Sequence, residues 1–246
     1  MGKIPKEIAY NGLLYEDPAV SHNLKYRGNS LGALTDSYAS AVASMQFTDM
    51  YVGDTFTQNG HTYKIGGFNY LLGADNNDSL PPHLLMITDI LPGRAMNPSD
   101  TTSGGFTGSD MWKSYFPTVV KQLQTDFGSH LLTWNEYLTT GTDGNAANQG
   151  AFFQVQASMM NTVMYWGSPS QYSTSASNGT NYNIGIETKQ LPIMKLHTGE
   201  QTSDGNWAWL RDVYSSSSFA RANNDGSAEW NIASASNVVR AFFLID

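Results

Sequence analysis

No cysteine occurs anywhere in the 246 residues, which excludes a disulfide framework, a thiolate metal site and a thiol nucleophile together. Charge is scarce as well. Asp, Glu, Lys and Arg supply 14% of the chain, against about a quarter in ordinary globular domains, and Gly, Ser, Thr, Asn and Tyr take their place. The 13 basic residues against 21 acidic ones give a net charge of -8 and a pI near 4.9. The basic residues form no run or stripe, so nucleic acid and anionic membrane are excluded as expected partners. No apolar run has the length of a bilayer-spanning helix. Met1 to Asn11 is polar and carries Pro5, unlike the apolar core of a signal peptide, so the Sec route is not expected.

What is present argues for a folded chain: 40% hydrophobic and 12% aromatic residues are too many for a disordered one. The length accommodates one domain with a short lead-in. Residues 1–30 lack periodicity and carry Pro5, Gly12, Pro18 and Gly28, which reads as an extended N-terminal arm able to dock on a neighbour. The domain then spans 31–246.

From Leu34, the positions Tyr38, Ala41, Val42 and Met45 recur at helical spacing behind a Thr35 or Asp36 cap. Asn59-Gly60 between two β-rich runs predicts a tight hairpin, because both residues tolerate positive φ. Leu84 to Ile87 predicts a core strand, and Pro92 to Gly105 a loop. Ser109 caps a helix whose buried stripe is Val119, Val120, Leu123 and Phe127, with Pro117 in a first turn and Gly128 at the end. Gln154 to Trp166 fits either helix or strand, and 167–187 reads as a long surface loop. The runs Trp207 to Val213, Ser218 to Ala222, Ala228 to Ile232 and Val238 to Ile245, separated by Ser- and Asn-rich turns, predict an antiparallel meander.

Motifs for chemistry are sparse. His22, His61, His83, His130 and His197 show no metal-ligand spacing. Asp75-Asn76-Asn77-Asp78 opens like a calcium loop, but Leu80 and Met86 stand where Gly and Glu are needed. Gly108-Ser109-Asp110 lacks the second glycine of a nucleophile elbow, and a helix cap accounts for it. Glu136 with Asp143, or Glu187 with Asp204, would be the carboxylates of a glycosidase only if folding brought them into a pair. No catalytic residue, metal or cofactor is therefore expected. The densest constellation lies at 207–246, where aromatics alternate with small polar residues suited to stacking and hydrogen-bonded recognition. Trp209, Leu210, Arg211, Arg240 and Phe243 are assigned to packing and to paired charges.

The runs Trp209-Leu210-Arg211-Asp212-Val213, Phe219-Ala220, Ala233-Ser234 and Val239-Arg240 resemble the tail of a family of phage and prophage proteins. Tyr26 to Gly32, Tyr51 to Asp54, Gly104 to Met111 and Phe127 to His130 look like its upstream landmarks. The tail is similar to the C-type-lectin-like fold of phage tropism proteins and formylglycine-generating enzymes. It departs from the family at Val238, Ala241 and Phe242, where Gly, Pro and Ala are usual. Lacking Cys, it cannot perform formylglycine chemistry, and lacking a Glu-Pro-Asn motif it gives no support to calcium-mediated sugar binding.

The resemblance implies an α+β, C-type-lectin-like domain of antiparallel sheets with two or three short helices, its lectin-like tail at 207–246. It implies a non-enzymatic structural protein of a tailed-phage virion, assembled in the host cytoplasm as a head fibre, capsid decoration or tail-tip adhesin. Other virion proteins, further copies of the chain and host-surface glycans are the expected partners. Carried onto the turns of this chain, the ligand surface would be Tyr214, Ser216, Phe219, Arg221, Asn224, Trp230 and Asn231. A glycan-cleaving tail enzyme and a purely architectural subunit are the alternatives.

Overall fold

The computed structural model describes residues 18–246, together with the backbone of Glu7–Tyr10 and Leu13–Glu16. Its strands are β1 (Glu7–Tyr10), β2 (Leu13–Glu16), β3 (Ser30–Gly32), β4 (Thr55–Gln58), β5 (His61–Phe68), β6 (Leu84–Thr88), β7 (Leu91–Arg94), β8 (Trp134–Thr142), β9 (Ala147–Val155), β10 (Ser158–Met159), β11 (Ala208–Val213), β12 (Ser218–Ala222), β13 (Ala228–Ile232), β14 (Asn237–Val239) and β15 (Ala241–Ile245). The helices are α1 (Pro18–His22), α2 (Asp36–Ala43), α3 (Gly105–Gly108), α4 (Phe116–Phe127), α5 (Thr162–Trp166), α6 (Pro192–Leu196) and α7 (Thr198–Gln201). The class is mixed α+β, with mostly antiparallel sheets and short helices.

Two sheets carry the architecture, one of six strands in the order β10-β15-β6-β5-β4-β3 and one of five in the order β13-β12-β11-β14-β7. β6 is buried at every position and lies between β15 and β5, which is why its sequence is a continuous apolar run rather than an alternating one. The β4–β5 hairpin turns on Asn59 (φ 49°) and Gly60 (φ 85°), as the dipeptide predicts. α2 begins behind Thr35, whose hydroxyl accepts from the Tyr38 amide. α4 buries Phe116, Val119, Leu123 and Phe127. Phe127 meets Tyr63 and Phe243 with ring centroids 5.0 and 5.2 Å apart, which fastens the helix to the six-stranded sheet. One contiguous core links both sheets.

Several expectations need correction. The lead-in is no free arm from residue 18 onward. The Asn23 side chain accepts from the Phe68 amide and donates to the Phe68 carbonyl, both at 2.8 Å, and Arg27 pairs with the buried Asp54. Met1 to Lys6, Asn11, Gly12 and Asp17 lie outside the described residues. The stretch 92–105 begins inside β7 instead of being loop throughout, and a π-helical turn, Met111–Tyr115, precedes α4. The ambiguous stretch 154–166 is neither one helix nor one strand: it holds the end of β9, β10 and α5.

The 167–187 stretch carries no regular element, yet it is not all surface, since Ser173, Asn183 and Glu187 are buried. The C-terminal meander holds for β11, β12 and β13 only. β14 runs parallel to β11, and β15 leaves for the other sheet to pair with β6. The switch occurs at buried Arg240, which donates to the Glu200 carbonyl at 2.8 Å and pairs with its carboxylate.

Candidate functional site

Register decides which predicted site residues can act together. β12 pairs with β13 so that Ala220 faces Trp230, Phe219 faces Asn231 and Arg221 faces Glu229. Alternation therefore puts Trp230 on one face of the sheet, and Arg221 and Asn231 on the other.

On the first face Trp230, 40% exposed, stacks on Tyr214 with centroids 5.5 Å apart and planes inclined by 23°. Tyr172 meets Tyr214 edge-on at 5.2 Å. The long stretch before β11 supports this cluster from behind. Asn183 accepts from the Val213 amide at 2.7 Å and donates to the Val213 carbonyl at 3.0 Å, and the Thr174 hydroxyl donates to the Tyr214 carbonyl at 3.1 Å. Such two-sided clamping of the strand end fixes the backbone from which Tyr214 projects. Tyr172 escaped the sequence reading because it lies outside the aromatic-rich tail, in a segment that reads as plain loop.

On the other face the charge of Arg221 is already committed. Its guanidinium pairs with Glu229, donates to Asn237 at 3.3 Å and lies over the half-exposed Trp207 ring, 4.7 Å from its centroid. Asn231 also donates to Asn237, at 3.4 Å. Ser216 is exposed in the turn before β12 and Asn224 in the turn after it, so the length of the strand separates them. Phe219 is fully buried and is removed from the ligand surface: it points to the same side as Trp209, into the core.

The carboxylates weighed for glycosidase chemistry end up in other places. Glu136 and Glu187, proposed in different pairs, meet on the buried guanidinium of Arg211. Trp134 donates its indole N–H to Glu136 at 2.7 Å. Burial, and then the charge of Glu187, push the Glu136 carboxyl well above its usual range, and Arg211 only partly opposes them. The Glu187 Oε1 atom has no hydrogen-bond partner, and a proton shared between the two carboxyls would satisfy it. Both side chains are closed to solvent, so the pair cannot flank a glycosidic bond. Asp143 and Asp204 are exposed, and Asp143 closes a turn by accepting from the Asn145 and Ala146 amides.

Asp212 is buried beside this network and accepts from the Thr162 amide and hydroxyl, both at 2.9 Å. Burial raises its carboxyl to about 6 against the pull of Ser173 and Arg211. These groups stiffen β11, the scaffold strand of the aromatic cluster.

Among the described residues no group of three His, Asp or Glu side chains is placed to hold a metal ion, and no helix is long and apolar enough to cross a membrane. The chain matches no protein-family model, no curated protein and no solved structure.

Proposed function

We propose that this chain is a non-enzymatic structural protein of a tailed-bacteriophage virion, of C-type-lectin-like fold, that presents a recognition surface for host-surface glycans. The observation that carries the reading is the Tyr172, Tyr214 and Trp230 cluster: an exposed indole braced from behind on a rigid sheet edge. Aromatic faces held in this way stack on the apolar faces of sugar rings at low entropic cost. A surface poor in charge fits the same task, because neutral hydroxyls and amides are cheap to desolvate. Assembly in the host cytoplasm and release by lysis would supply the route outward.

The reading is tested by Trp230→Ala combined with Tyr214→Ala in the full chain. The melting temperature is expected to stay nearly unchanged, because neither ring is fully buried, while retention on an array of bacterial surface glycans and labelling of host cells are lost. Equal retention by the double variant removes this cluster as the recognition surface. Antibody labelling of virions in electron micrographs tests the location.

One observation favours the architectural alternative. β13 is the edge of its sheet, and Trp230 and Ile232 are both exposed on it, a place where a neighbouring subunit would cover them.

A further inference from the structure

A second concave surface lies away from the C-terminal meander. It is a cleft of about 400 Å³ between the β4–β5 hairpin, the β6–β7 connection and α4. Three features mark it as built rather than incidental.

The first is the Asp126 carboxylate behind its rim, whose side chain is closed to solvent. It gathers donors from the hairpin and from α4: the Tyr63 hydroxyl, Asn59 at 3.0 Å and Gln122 at 3.1 Å, with His61 Nδ1 3.0 Å away. Burial pushes this carboxyl up, yet the donors outweigh it and hold it below its usual range. The His61 ring is half-exposed, and the Gln122 side-chain amide nitrogen lies 3.2 Å from its Nδ1 as well as within reach of Asp126.

The second feature is the π-helical turn Met111–Tyr115, a rare winding that recurs at functional sites. It ends on Tyr115, which lines the cleft.

The third is the lining itself. Each wall combines aromatic or aliphatic surface with hydrogen-bonding groups: Tyr115 and Val119 with Thr118 and Gln122 on the helical wall, and Leu91 with Thr88 and Asp89 on the other. No Lys or Arg lines the cleft; Arg94 lies over the Tyr115 ring, 4.3 Å from its centroid.

We propose that this cleft is a distinct binding site for a neutral sugar, about one or two rings in size. The Tyr115 ring offers a stacking surface, and the hydroxyl, amide and carboxylate groups match vicinal hydroxyls. The acidic lining disfavours anions. The inference does not depend on the reading of the meander, since the two sites share no residue.

The test is a titration of the ¹⁵N-labelled full chain with maltose, lactose and diacetylchitobiose, with ethanolamine and glucuronate as charged controls. At least one neutral sugar is expected to give saturable shifts at residues 60–63, 88–91 and 115–123, with an affinity of roughly millimolar order. Thr118→Trp, which fills the cleft from an exposed helix position, abolishes them, and Gln122→Ala weakens them about tenfold. Trp230→Ala leaves them intact. The proposal falls if no neutral sugar gives saturable shifts, if a charged control binds more tightly, or if the shifts cluster at Tyr214 and Trp230 and survive Thr118→Trp. That last outcome would still uphold the proposed recognition surface.

Discussion

Acid is expected to weaken the fold through His83. The imidazole is fully buried, and both ring nitrogens are assigned by backbone partners: Nε2 accepts from the Leu71 amide at 3.2 Å, and Nδ1 donates to the Pro81 carbonyl at 2.9 Å. A second proton would have to sit on Nε2, against an amide hydrogen. Burial therefore drives the group from its usual 6.5 down to about 4, with the charge of Lys189 adding to the effect and the Pro81 bond opposing it.

At neutral pH the ring is uncharged in the folded and the unfolded chain alike. Between about pH 6.5 and 4 only the unfolded chain takes up the proton, so stability is complete above the unfolded value and drains away as pH falls to the folded one. Two and a half pH units at about 1.4 kcal/mol each amount to roughly 3 kcal/mol. Asp212 works against this in the same window. Its folded value near 6 means that stability is gained as pH falls through 6, so the parent curve alone sums two opposed effects.

The difference between the parent and His83→Gln isolates the histidine. In urea unfolding the variant is less stable at about pH 7, and the gap narrows by about 3 kcal/mol at about pH 4. A gap that stays constant, or an imidazole resonance titrating near its usual value, refutes the reasoning.

Arg211→Met leaves Glu136 and Glu187 buried without their cation and is expected to cost about 3 to 5 kcal/mol in thermal or urea unfolding. Glu136→Gln keeps the shape of the protonated carboxyl and is expected to cost less than about 1 kcal/mol. Because the folded value of Glu136 is raised, the stability it contributes is present at low pH and lost as pH rises through that value; Glu136→Gln flattens this loss, read from melting temperatures across pH. Gly105→Ala combines a φ of +63° with a new Cβ 2.7 Å from the Thr139 carbonyl atoms, and at least about 2 to 3 kcal/mol is expected to be lost in urea unfolding. Removing residues 1–30 strips Arg27 from Asp54 and Asn23 from β5, and the truncated chain is expected to lose about 3 to 5 kcal/mol and to be cut faster by protease than the full chain.

Local signals in the sequence were legible wherever the local choice and the global fold agree. Asn59-Gly60, the Thr35 cap and the apolar run of β6 each state their conformation within a few residues. The meander was legible for β11 to β13, where each turn joins neighbouring strands. It failed at β14 and β15 because the choice of sheet is made by pairing with β6 and β7, distant residues that leave no mark on the local pattern. The docking of residues 18–30 left no mark for a related reason: Asn23, Arg27 and Asp54 act through long-range hydrogen bonds, which have no periodicity. Of the candidate site, the Tyr214 and Trp230 pair is brought together. The facing of Arg221 and the burial of Phe219 depend on register, which shifts within the β11–β12 pair and cannot be counted from the sequence.

The placement of β15 bears on which copies of the chain can ever become competent. Residues 241–245 fill the gap between β6 and β10, pairing Phe242 with Ile87 on one side and with Ser158 on the other. All five are buried. Until they arrive, β6 has an open apolar edge, the kind of template on which chains aggregate, and closing a contact over so long a stretch of chain is slow. A copy in which β15 is missing or unpaired is thus expected to be lost to aggregation or proteolysis, so the last strand to pair decides the survival of the sheet.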